Sequence, residues 1–518
     1  MRCLKCRQFL KVVPSNFFES FRAPREKSRL ATLKNKIMNF LTISEMKKLL
    51  SDKKITSEEL VQEALKRIKE HDHEIGAFLH VAEDEALVEA REFDRRRAAG
   101  EDLPSLAGIP VAIKNNILVQ GRKATAGSKI LENYQATSDA TVIKRLRTAG
   151  AIIIGETNMD EFAMGSSTEN SAFFSTKNPW NNKKIPGGSS GGSIAAVAAG
   201  FVPAALGTDT GGSVRQPAAL CGVVGLKPTY GRVSRYGAIA LASSLDQIGA
   251  CARTVDDVAE VFSVIAGNDD KDATAVEMDV VVPELIPNDI KGLRIGLPKE
   301  YFVEGMDPEV KKAVLEAVEL LKTNGAEVKE ISLPHTEYAI AVYYIIMPCE
   351  VGSNLARMDG IRFGHAVDGE NLLATYLKAR GEGFGAETKR RVMLGSFALS
   401  KGYSDAYYKK ALRVRELIRR DFEEAFKQVD VIATPTSPTI AWNLGEKFED
   451  PLAMYLSDIY TVSANLAGIP AMSLPCGFDE DLPIGLQLMA KPFDETCLFR
   501  VGKFYQSLTD WHLKQPKL

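Results

Sequence analysis

The chain has 518 residues, of which 45% are hydrophobic, 25% charged and 8% aromatic, the balance of an ordinary globular protein. This composition excludes wholesale disorder, collagen-like repeats and a small scaffold held by disulfides. The formal net charge of −2 indicates no overall attraction to nucleic acid or to acidic surfaces.

The charge is unevenly distributed along the chain. Residues 1–37 contain ten Lys or Arg and two Glu, whereas the rest has 55 basic and 65 acidic residues. This N-terminal extension resembles an acid-poor transit-type presequence, but it could equally lie upstream of a true start at Met38. We favour the second interpretation, because a folded domain over 38–518 begins directly after it; a nucleic-acid-binding arm is a third option. We therefore predict that residues 1–37 are disordered or precede the start.

Helical patterns dominate the first part of this domain, residues 38–105. Two helices are predicted over 42–70, with Ser44 able to cap the first. Thr56 with Glu59 forms a capping box for the second. Apolar residues at helical spacing then form one stripe: Leu60, Val61, Ala64, Leu65 and Ile68. A charged helix follows over 82–98.

From residue 106 onward, short apolar runs alternate with helical patterns. Strands are predicted at 106–114, 151–155, 204–207, 291–297, 326–333, 429–433, 471–475 and 484–489. Helices are predicted at 139–149, 194–199 and 307–323, and 340–430 is mostly helical, after an acidic, irregular connector over 268–290. This order indicates an α/β fold with one large domain, in which a mixed central β-sheet is covered by helices on both faces. We assign 106–260 to a catalytic core and 261–518 to the substrate pocket and the C-terminal part.

Cysteine usage and hydropathy indicate the compartment. There are seven Cys, and Cys3-x-x-Cys6 has no second CxxC partner, which argues against a zinc site. The later cysteines lie in apolar contexts and are predicted to be buried. We expect a reducing, cytoplasmic environment. No run approaches about 18 strongly apolar residues, so we predict no membrane span.

Two glycine- and serine-rich loops, 186–193 and 209–215, mark the candidate site. Neither is a P-loop, since GxxxxGK[ST] is absent from them. Residues 187–191 fit GxSxG, which is typical of the nucleophile elbow of α/β-hydrolases. That elbow needs a His base, and none of the six His lies within 106–260. A distant His could still fold back, so this alternative stays open.

Lys114 is the candidate base. It ends the apolar run 109–113, so its stem leaves a buried strand. A desolvated lysine favours its neutral form and can accept a proton near neutral pH. The competing interpretation is a surface lysine at a strand end, which is the commoner case for an arbitrary lysine.

Lys114, Ser189 and Ser213, with the strings GGSSGGS and DTGGSVR, together resemble the amidase signature family. The resemblance implies that Ser213 is the nucleophile, that Ser189 relays its proton and that Lys114 is the final base. It also implies a cis peptide bond between Gly188 and Ser189.

The second loop can also stabilise an oxyanion. Backbone N–H groups of Thr210, Gly211, Gly212 and Ser213 open a predicted helix, and the first three are the candidate oxyanion hole. Asp209 and Arg215, at the ends of this loop, are interpreted as an ion pair that braces it.

Further strings resemble one branch of this family, the glutamine-hydrolysing components of tRNA-dependent amidotransferases. They lie at 158–168, 343–346, 354–360, 384–391, 454–458 and 465–468. The resemblance implies that Arg391 holds the α-carboxylate of glutamine and Asp458 its α-ammonium. A tyrosine of the Tyr343-Tyr344 pair assists, with Tyr344 preferred. Gly165 and Ser166 line the pocket near the amide.

This resemblance also implies partners. The chain would release ammonia from glutamine, while a partner protein uses ATP and Mg²⁺ to activate Glu-tRNA(Gln) for conversion to Gln-tRNA(Gln) in translation. A heterotrimer with B- and C-type subunits is expected, with tRNA held mainly by the partner. No cofactor, metal or membrane is expected on this chain. The alternatives are a stand-alone amidase acting on small amides and a catalytically silent scaffold.

Overall fold

A large mixed β-sheet organises the chain. The computed structural model describes residues 40–279, 288–302 and 305–518; the predicted extension 1–37, with its CxxC pair, lies outside them. The strands are β1 Phe78–Val81, β2 Pro110–Lys114, β3 Ile152–Thr157, β4 Ala204–Asp209, β5 Val224–Lys227, β6 Gln247–Ala252, β7 Arg294–Pro298, β8 Glu327–Ile331, β9 Val431–Pro435, β10 Ala471–Asp479 and β11 Leu482–Ala490. Their order across the sheet is β1-β3-β2-β4-β6-β5-β10-β11-β9-β7-β8.

The sheet mixes parallel and antiparallel pairs. Strand β2 runs parallel to both β3 and β4, and β7 runs parallel to both β8 and β9. The other neighbours are antiparallel. Every residue of β2, β3, β4 and β6 is buried, as expected for strands covered on both faces. The predicted α/β class with a mixed central sheet is confirmed.

Helices surround this sheet. Their bounds are α1 Ile43–Ser51, α2 Ser57–Ile75, α3 Glu83–Ala98, α4 Thr141–Thr148, α5 Gly191–Ala198, α6 Arg215–Cys221, α7 Val255–Ile265, α8 Pro308–Thr323, α9 Ala339–Asn354, α10 Leu372–Gly383, α11 Ala386–Leu399, α12 Tyr408–Ala425, α13 Pro451–Leu456, α14 Val462–Ala467 and α15 Glu495–Leu508. Helix α9 packs against α11, α12 and α14, which brings several elements of the second half of the chain together.

Capping at the first two helices differs in one respect from the prediction. The cap of α1 is Thr42, not Ser44, which lies inside the helix. Thr42 has the extended backbone that an N-cap requires, and its hydroxyl accepts from the Glu45 N–H at 3.1 Å. At α2 the predicted capping box of Thr56 is present. The predicted apolar stripe of α2 is buried throughout.

One helical stretch departs from the expectation that no segment is long and apolar enough to cross a membrane. Within the described residues, Pro334–Arg357 passes that test of length and composition, and half of its most apolar window is buried in the molecule. It includes α9, whose Tyr343 and Ile346 are buried. Such a stretch is also what the core helix of a globular protein looks like.

The later cysteines behave as predicted. Five cysteines in the described residues are free and buried: Cys221, Cys251, Cys349, Cys476 and Cys497.

Candidate active site

The candidate base lies at the carboxyl end of a central strand. Lys114 is the last residue of β2 and is fully buried. Its Nζ lies 2.7 Å from Ser189 Oγ, 2.9 Å from Ser190 Oγ and 2.9 Å from Thr208 Oγ1. Because β2 and β4 are parallel, their carboxyl ends meet at one edge of the sheet, which brings Thr208 to the lysine. The amine is therefore surrounded by three hydroxyl groups.

Burial changes the charge state of this amine. It lowers the pKa of Lys114 to about 7, against the opposing effect of Asp160, Asp209 and Asp246. A neutral amine has two N–H donors and one lone pair. Ser190 Oγ and Thr208 Oγ1 can take the two donors, since Ser190 donates its own proton to the Thr208 carbonyl at 3.1 Å. The lone pair is then left for the hydroxyl proton of Ser189.

The two glycine-serine loops are held together by backbone contacts. The peptide bond Gly188–Ser189 is cis, as predicted. The next N–H, that of Ser190, donates to the Ser213 carbonyl at 3.0 Å. Gly188 N–H donates to Gln216 Oε1 at 3.0 Å. No hydrogen bond joins the hydroxyls of Ser189 and Ser213 in the described chain; catalytic hydrogen bonds commonly form only with substrate bound.

The loop after β4 is braced by a buried ion pair. Asp209 and Arg215 are both fully buried, with Oδ1 and Nη2 2.9 Å apart, so the predicted pairing is confirmed. Although burial alone would raise the pKa of Asp209, the Arg215 guanidinium holds it well below its usual range. The Asp209 carboxylate also accepts the N–H groups of Gly212 at 2.9 Å and Val214 at 3.2 Å.

This bracing changes the expected set of oxyanion donors. The N–H of Gly212, expected to face the oxyanion, is already donated to Asp209. Helix α6 consequently begins at Arg215 and not directly after β4. Within the hydrogen bonds of the described residues, the N–H groups of Thr210, Gly211 and Ser213 have no acceptor. Of the three expected donors, Thr210 and Gly211 therefore remain candidates.

Three of the residues expected at the glutamine pocket lie together. Asp458 is 7% exposed, and its carboxylate accepts from Ser166 Oγ at 2.9 and 3.0 Å. It also accepts from the Tyr344 hydroxyl at 3.0 Å. Burial raises the pKa of Asp458 to about 7, although both hydroxyls oppose this. An approaching cation would therefore stabilise its ionised form.

Arg391 also contacts the Tyr344 ring. It is 2% exposed, and its Nε donates to Glu387 Oε1 at 2.7 Å. Its guanidinium carbon is 5.2 Å from the ring centroids of both Tyr344 and Tyr455, which stack at 4.0 Å. No ion pair joins Arg391 to Asp458 in the described residues. A buried positive and a buried negative group thus contact the same tyrosine without forming an ion pair with each other.

The other two predicted contacts pack more tightly against the catalytic loops. Tyr343 lies on Gly211, where an added Cβ would be 2.6 Å from its Cζ. Gly165 packs on Asp160, where an added Cβ would be 2.4 Å from Cγ. Tyr344 rather than Tyr343 therefore contacts Asp458.

Several residues of this site were missed by the sequence analysis. Ser190 lies inside the GGSSGGS string, but the sequence analysis selected only its neighbour Ser189. Glu387 precedes Arg391 by four residues, a spacing that favours a helical ion pair and could have indicated it. Thr208 offered no such signal, because its contact with Lys114 joins positions 94 residues apart.

Comparison with known proteins identifies the class. The amidase family model matches residues 59–499, so this chain belongs to the amidase family, and the resemblance drawn from the motifs is confirmed.

Particular members are closely similar. The chain is 57% identical to the A-type subunit of the glutamyl-tRNA(Gln) amidotransferase from Roseiflexus castenholzii, over 92% of this chain and 98% of that protein. It is 55% identical to the subunit of the same name from Chloroflexus aggregans, over 93% and 99%. The crystal structure of the corresponding Thermotoga maritima protein is 44% identical, covers 90% of this chain and 94% of its own, and gives a TM-score of 0.76.

Proposed function

We propose that this chain is the glutamine-hydrolysing component of a glutamyl-tRNA(Gln) amidotransferase. The similarity to proteins of that name extends over nine-tenths of the chain. One observation carries the proposal beyond amidase chemistry in general: Arg391 and Asp458 are buried, opposite in charge and both in contact with Tyr344. A simple amide needs neither group, whereas free glutamine presents an α-carboxylate to one and an α-ammonium to the other.

The reaction begins at Ser213. Its Oγ attacks the side-chain amide carbon of glutamine while its proton passes to Ser189 Oγ, and the Ser189 proton passes to the neutral amine of Lys114. The resulting oxyanion accepts from the N–H groups of Thr210 and Gly211. Lys114 returns the proton through Ser189 to the leaving nitrogen. The C–N bond breaks, releasing ammonia and leaving a γ-glutamyl ester on Ser213.

Water completes the turnover. It loses a proton along the same path and attacks the ester carbonyl, and Ser213 leaves with its oxygen reprotonated. The products are glutamate and free enzyme. Ammonia then reaches a second site, at which a partner protein uses ATP and Mg²⁺ to activate the γ-carboxylate of Glu-tRNA(Gln). We place that site on the B-type member of a cytoplasmic heterotrimer with A-, B- and C-type subunits, and the B-type member also makes the main contacts with tRNA.

The test is a conversion assay on the assembled complex. The chain is co-purified with its two partners and supplied with Glu-tRNA(Gln), ATP and either glutamine or ammonia. Ser213→Ala is expected to abolish glutamine-dependent conversion and leave ammonia-dependent conversion within about twofold of wild type. Ser507→Ala, at an exposed serine of α15, is the matched control and should change neither rate.

Two outcomes would contradict the proposal. One is glutamine-dependent conversion that persists in Ser213→Ala. The other is efficient turnover of simple aliphatic or aryl amides by the purified chain alone, with glutamine a poor substrate, which would favour a stand-alone amidase.

A further inference from the structure

Thr461 lies between Asp458, the proposed α-ammonium site, and the loop that carries the proposed oxyanion donors. It is the N-cap residue of α14 and follows Asp458 by three positions. Its side chain is fully buried, and its hydroxyl donates to the Gly211 carbonyl at 2.6 Å. The residue therefore contacts the loop that supplies the proposed oxyanion donors, although it is 250 residues away in the chain.

The backbone of Thr461 is fixed from two sides. Its N–H donates to the Asp458 carbonyl at 3.0 Å, so both residues belong to one tight turn. Its own carbonyl accepts from Arg215 Nη1 at 3.1 Å. Close packing completes the contact, because an added Cβ on Gly212 would lie 2.3 Å from Thr461 Oγ1. Only glycine at this position lets the hydroxyl approach the loop.

These contacts determine the orientation of one peptide group. The peptide between Gly211 and Gly212 has its carbonyl held by Thr461 and its N–H held by Asp209. The Gly211 N–H belongs to the preceding peptide, which is joined to this one through the backbone torsions of Gly211. Because a glycine restricts those torsions little, holding the Gly211–Gly212 peptide in place limits where the Gly211 N–H can lie. A mispositioned donor loses most of its effect on an oxyanion.

We propose that Thr461 is a positioning residue that couples the α-ammonium site at Asp458 to the oxyanion loop at Gly211. This inference rests on the proposed glutamine hydrolysis. Binding of the ammonium group adds a contact at the Asp458 end of the turn that contains Thr461, and the Thr461 hydroxyl transmits the position of this turn to the Gly211 carbonyl. Amides without an α-ammonium group do not make that contact, so the loop favours free glutamine at the chemical step.

The experiment measures kcat and KM for glutamine hydrolysis in the assembled complex. Thr461→Val keeps the shape of the side chain and removes the donor, and it is expected to lower kcat by about tenfold or more with KM within about twofold. Thr461→Ser restores the donor and should return kcat to within about threefold of wild type.

A matched control is available elsewhere in the chain. Thr176 is also fully buried, and its hydroxyl donates to the Gly76 carbonyl at 2.6 Å, outside the site. Thr176→Val therefore removes the same kind of hydrogen bond, and it should leave kcat for glutamine within about twofold of wild type.

Three results would overturn the coupling role: an unchanged kcat in Thr461→Val, no recovery in Thr461→Ser, or an equal loss of ammonia-dependent conversion in Thr461→Val. If Thr461→Val does not assemble, Thr461→Ala is measured with the same expectation; if neither assembles, the role is structural and the proposal is wrong. Failure of the proposed function is distinguishable, since the wild-type complex would then not hydrolyse glutamine at all.

Discussion

Two fully buried lysines show what distinguishes a base from a structural cation. Burial lowers the pKa of both Lys114 and Lys227 to about 7. Lys227 Nζ donates to the carbonyls of Pro228 at 2.9 Å and Ile469 at 2.5 Å. A carbonyl can only accept, so those partners cannot give a proton to the amine. Lys114 instead contacts hydroxyls, which both accept and donate, and this is why it is the candidate base.

The pH dependence of glutamine hydrolysis follows from two groups with a pKa near 7. Below that pH, Lys114 gains a proton and loses its lone pair, so kcat is expected to fall. Asp458 also gains a proton there, which removes the partner of the α-ammonium group and raises KM. With glutamine bound, the ammonium keeps Asp458 ionised, so kcat reports Lys114 alone while kcat/KM reports both groups.

Steady-state profiles from about pH 5.5 to 9 check this expectation. Below neutrality kcat should fall with a slope of about one, and kcat/KM with a slope approaching two. Asp458→Asn serves as the control, because it should lower affinity at every pH and remove the steeper slope. A kcat that stays constant across this range would exclude Lys114 as the base.

Arg391 is expected to act on glutamine and not on ammonia. Arg391→Ala removes the proposed partner of the α-carboxylate, so KM for glutamine should rise by about tenfold or more, while ammonia-dependent conversion changes by less than about twofold. The neighbouring Arg390 pairs with the same Glu387 but is exposed, and Arg390→Ala should leave KM unchanged. Equal damage to both nitrogen donors would remove Arg391 from the glutamine pocket.

At the scale of elements, Glu161 holds a whole helix in place. This buried carboxylate follows β3 and accepts from Ser128 Oγ, which is 33 residues earlier in the chain. It also accepts from two residues far along the chain, the Gly385 N–H at 2.8 Å and Thr388 Oγ1 at 2.5 Å. Gly385 is the N-cap of α11, where a negative charge is favourable. Since α11 contains Arg391, Glu161 fixes the helix that positions the guanidinium.

Glu161→Gln is expected to move this helix without removing the side chain. The glutamine side chain carries no negative charge at the helix N-terminus. Its amide nitrogen cannot accept a hydrogen bond, so only its oxygen is left for the three donors. KM for glutamine should rise by about threefold to tenfold, and the free energy of unfolding should fall by about 1–3 kcal/mol.

The matched control for this prediction is Glu495→Gln. Glu495 is equally buried and accepts from the Thr229 N–H at 2.9 Å and hydroxyl at 2.7 Å. It should lose comparable stability in denaturant titrations with no change in KM. If the two variants have the same KM, Glu161 has no positioning role.

Elements with a strong pattern were predictable, and those shaped by close approach were not. Helix α2 has a capping box and a long apolar stripe, and strands β2 and β3 have continuous apolar runs, so the local sequence was sufficient to predict them. Strands β1, β5 and β6 were missed: β1 and β5 have four residues each, and half of the six residues of β6 are Gly or Ala, so none forms a strong apolar run. At Gly249 of β6 an added Cβ would lie 2.1 Å from the Leu226 carbonyl oxygen; the sheet requires glycine there, and that glycine weakens the apolar pattern of the strand.

The candidate site divides in the same way. Lys114, Ser189 and Ser213 stand in local strings that could be recognised. The contact that positions the helix of Arg391 does not: Glu161 and Gly385 are 224 residues apart, and nothing in the local sequence indicates such a pair.

At the scale of the whole molecule, Arg215 joins distant parts of the sheet. It pairs with Asp209 at the end of β4 and donates to Gln487 of β11 at 2.6 Å. It also donates to Asn465 of α14 at 2.6 Å. Strands β6, β5 and β10 separate β4 from β11 in the sheet order, so one guanidinium fixes the catalytic loop to the C-terminal strands. Its bonds satisfy a charge that would otherwise be costly to bury.

Arg215→Met should therefore destabilise the molecule more than its lost packing explains. It leaves the Asp209 carboxylate buried without its partner, and breaking such a pair costs about 3–5 kcal/mol. Denaturant titration of the purified chain measures this loss. Arg95→Ala, which removes an exposed pair with Glu92, is the control and should leave the titration unchanged.

The double variant Asp209→Asn with Arg215→Met should recover part of the lost stability, because no unpaired charge remains buried. If the double variant is as unstable as the sum of the single ones, the destabilisation comes from lost packing and not from the uncompensated charge.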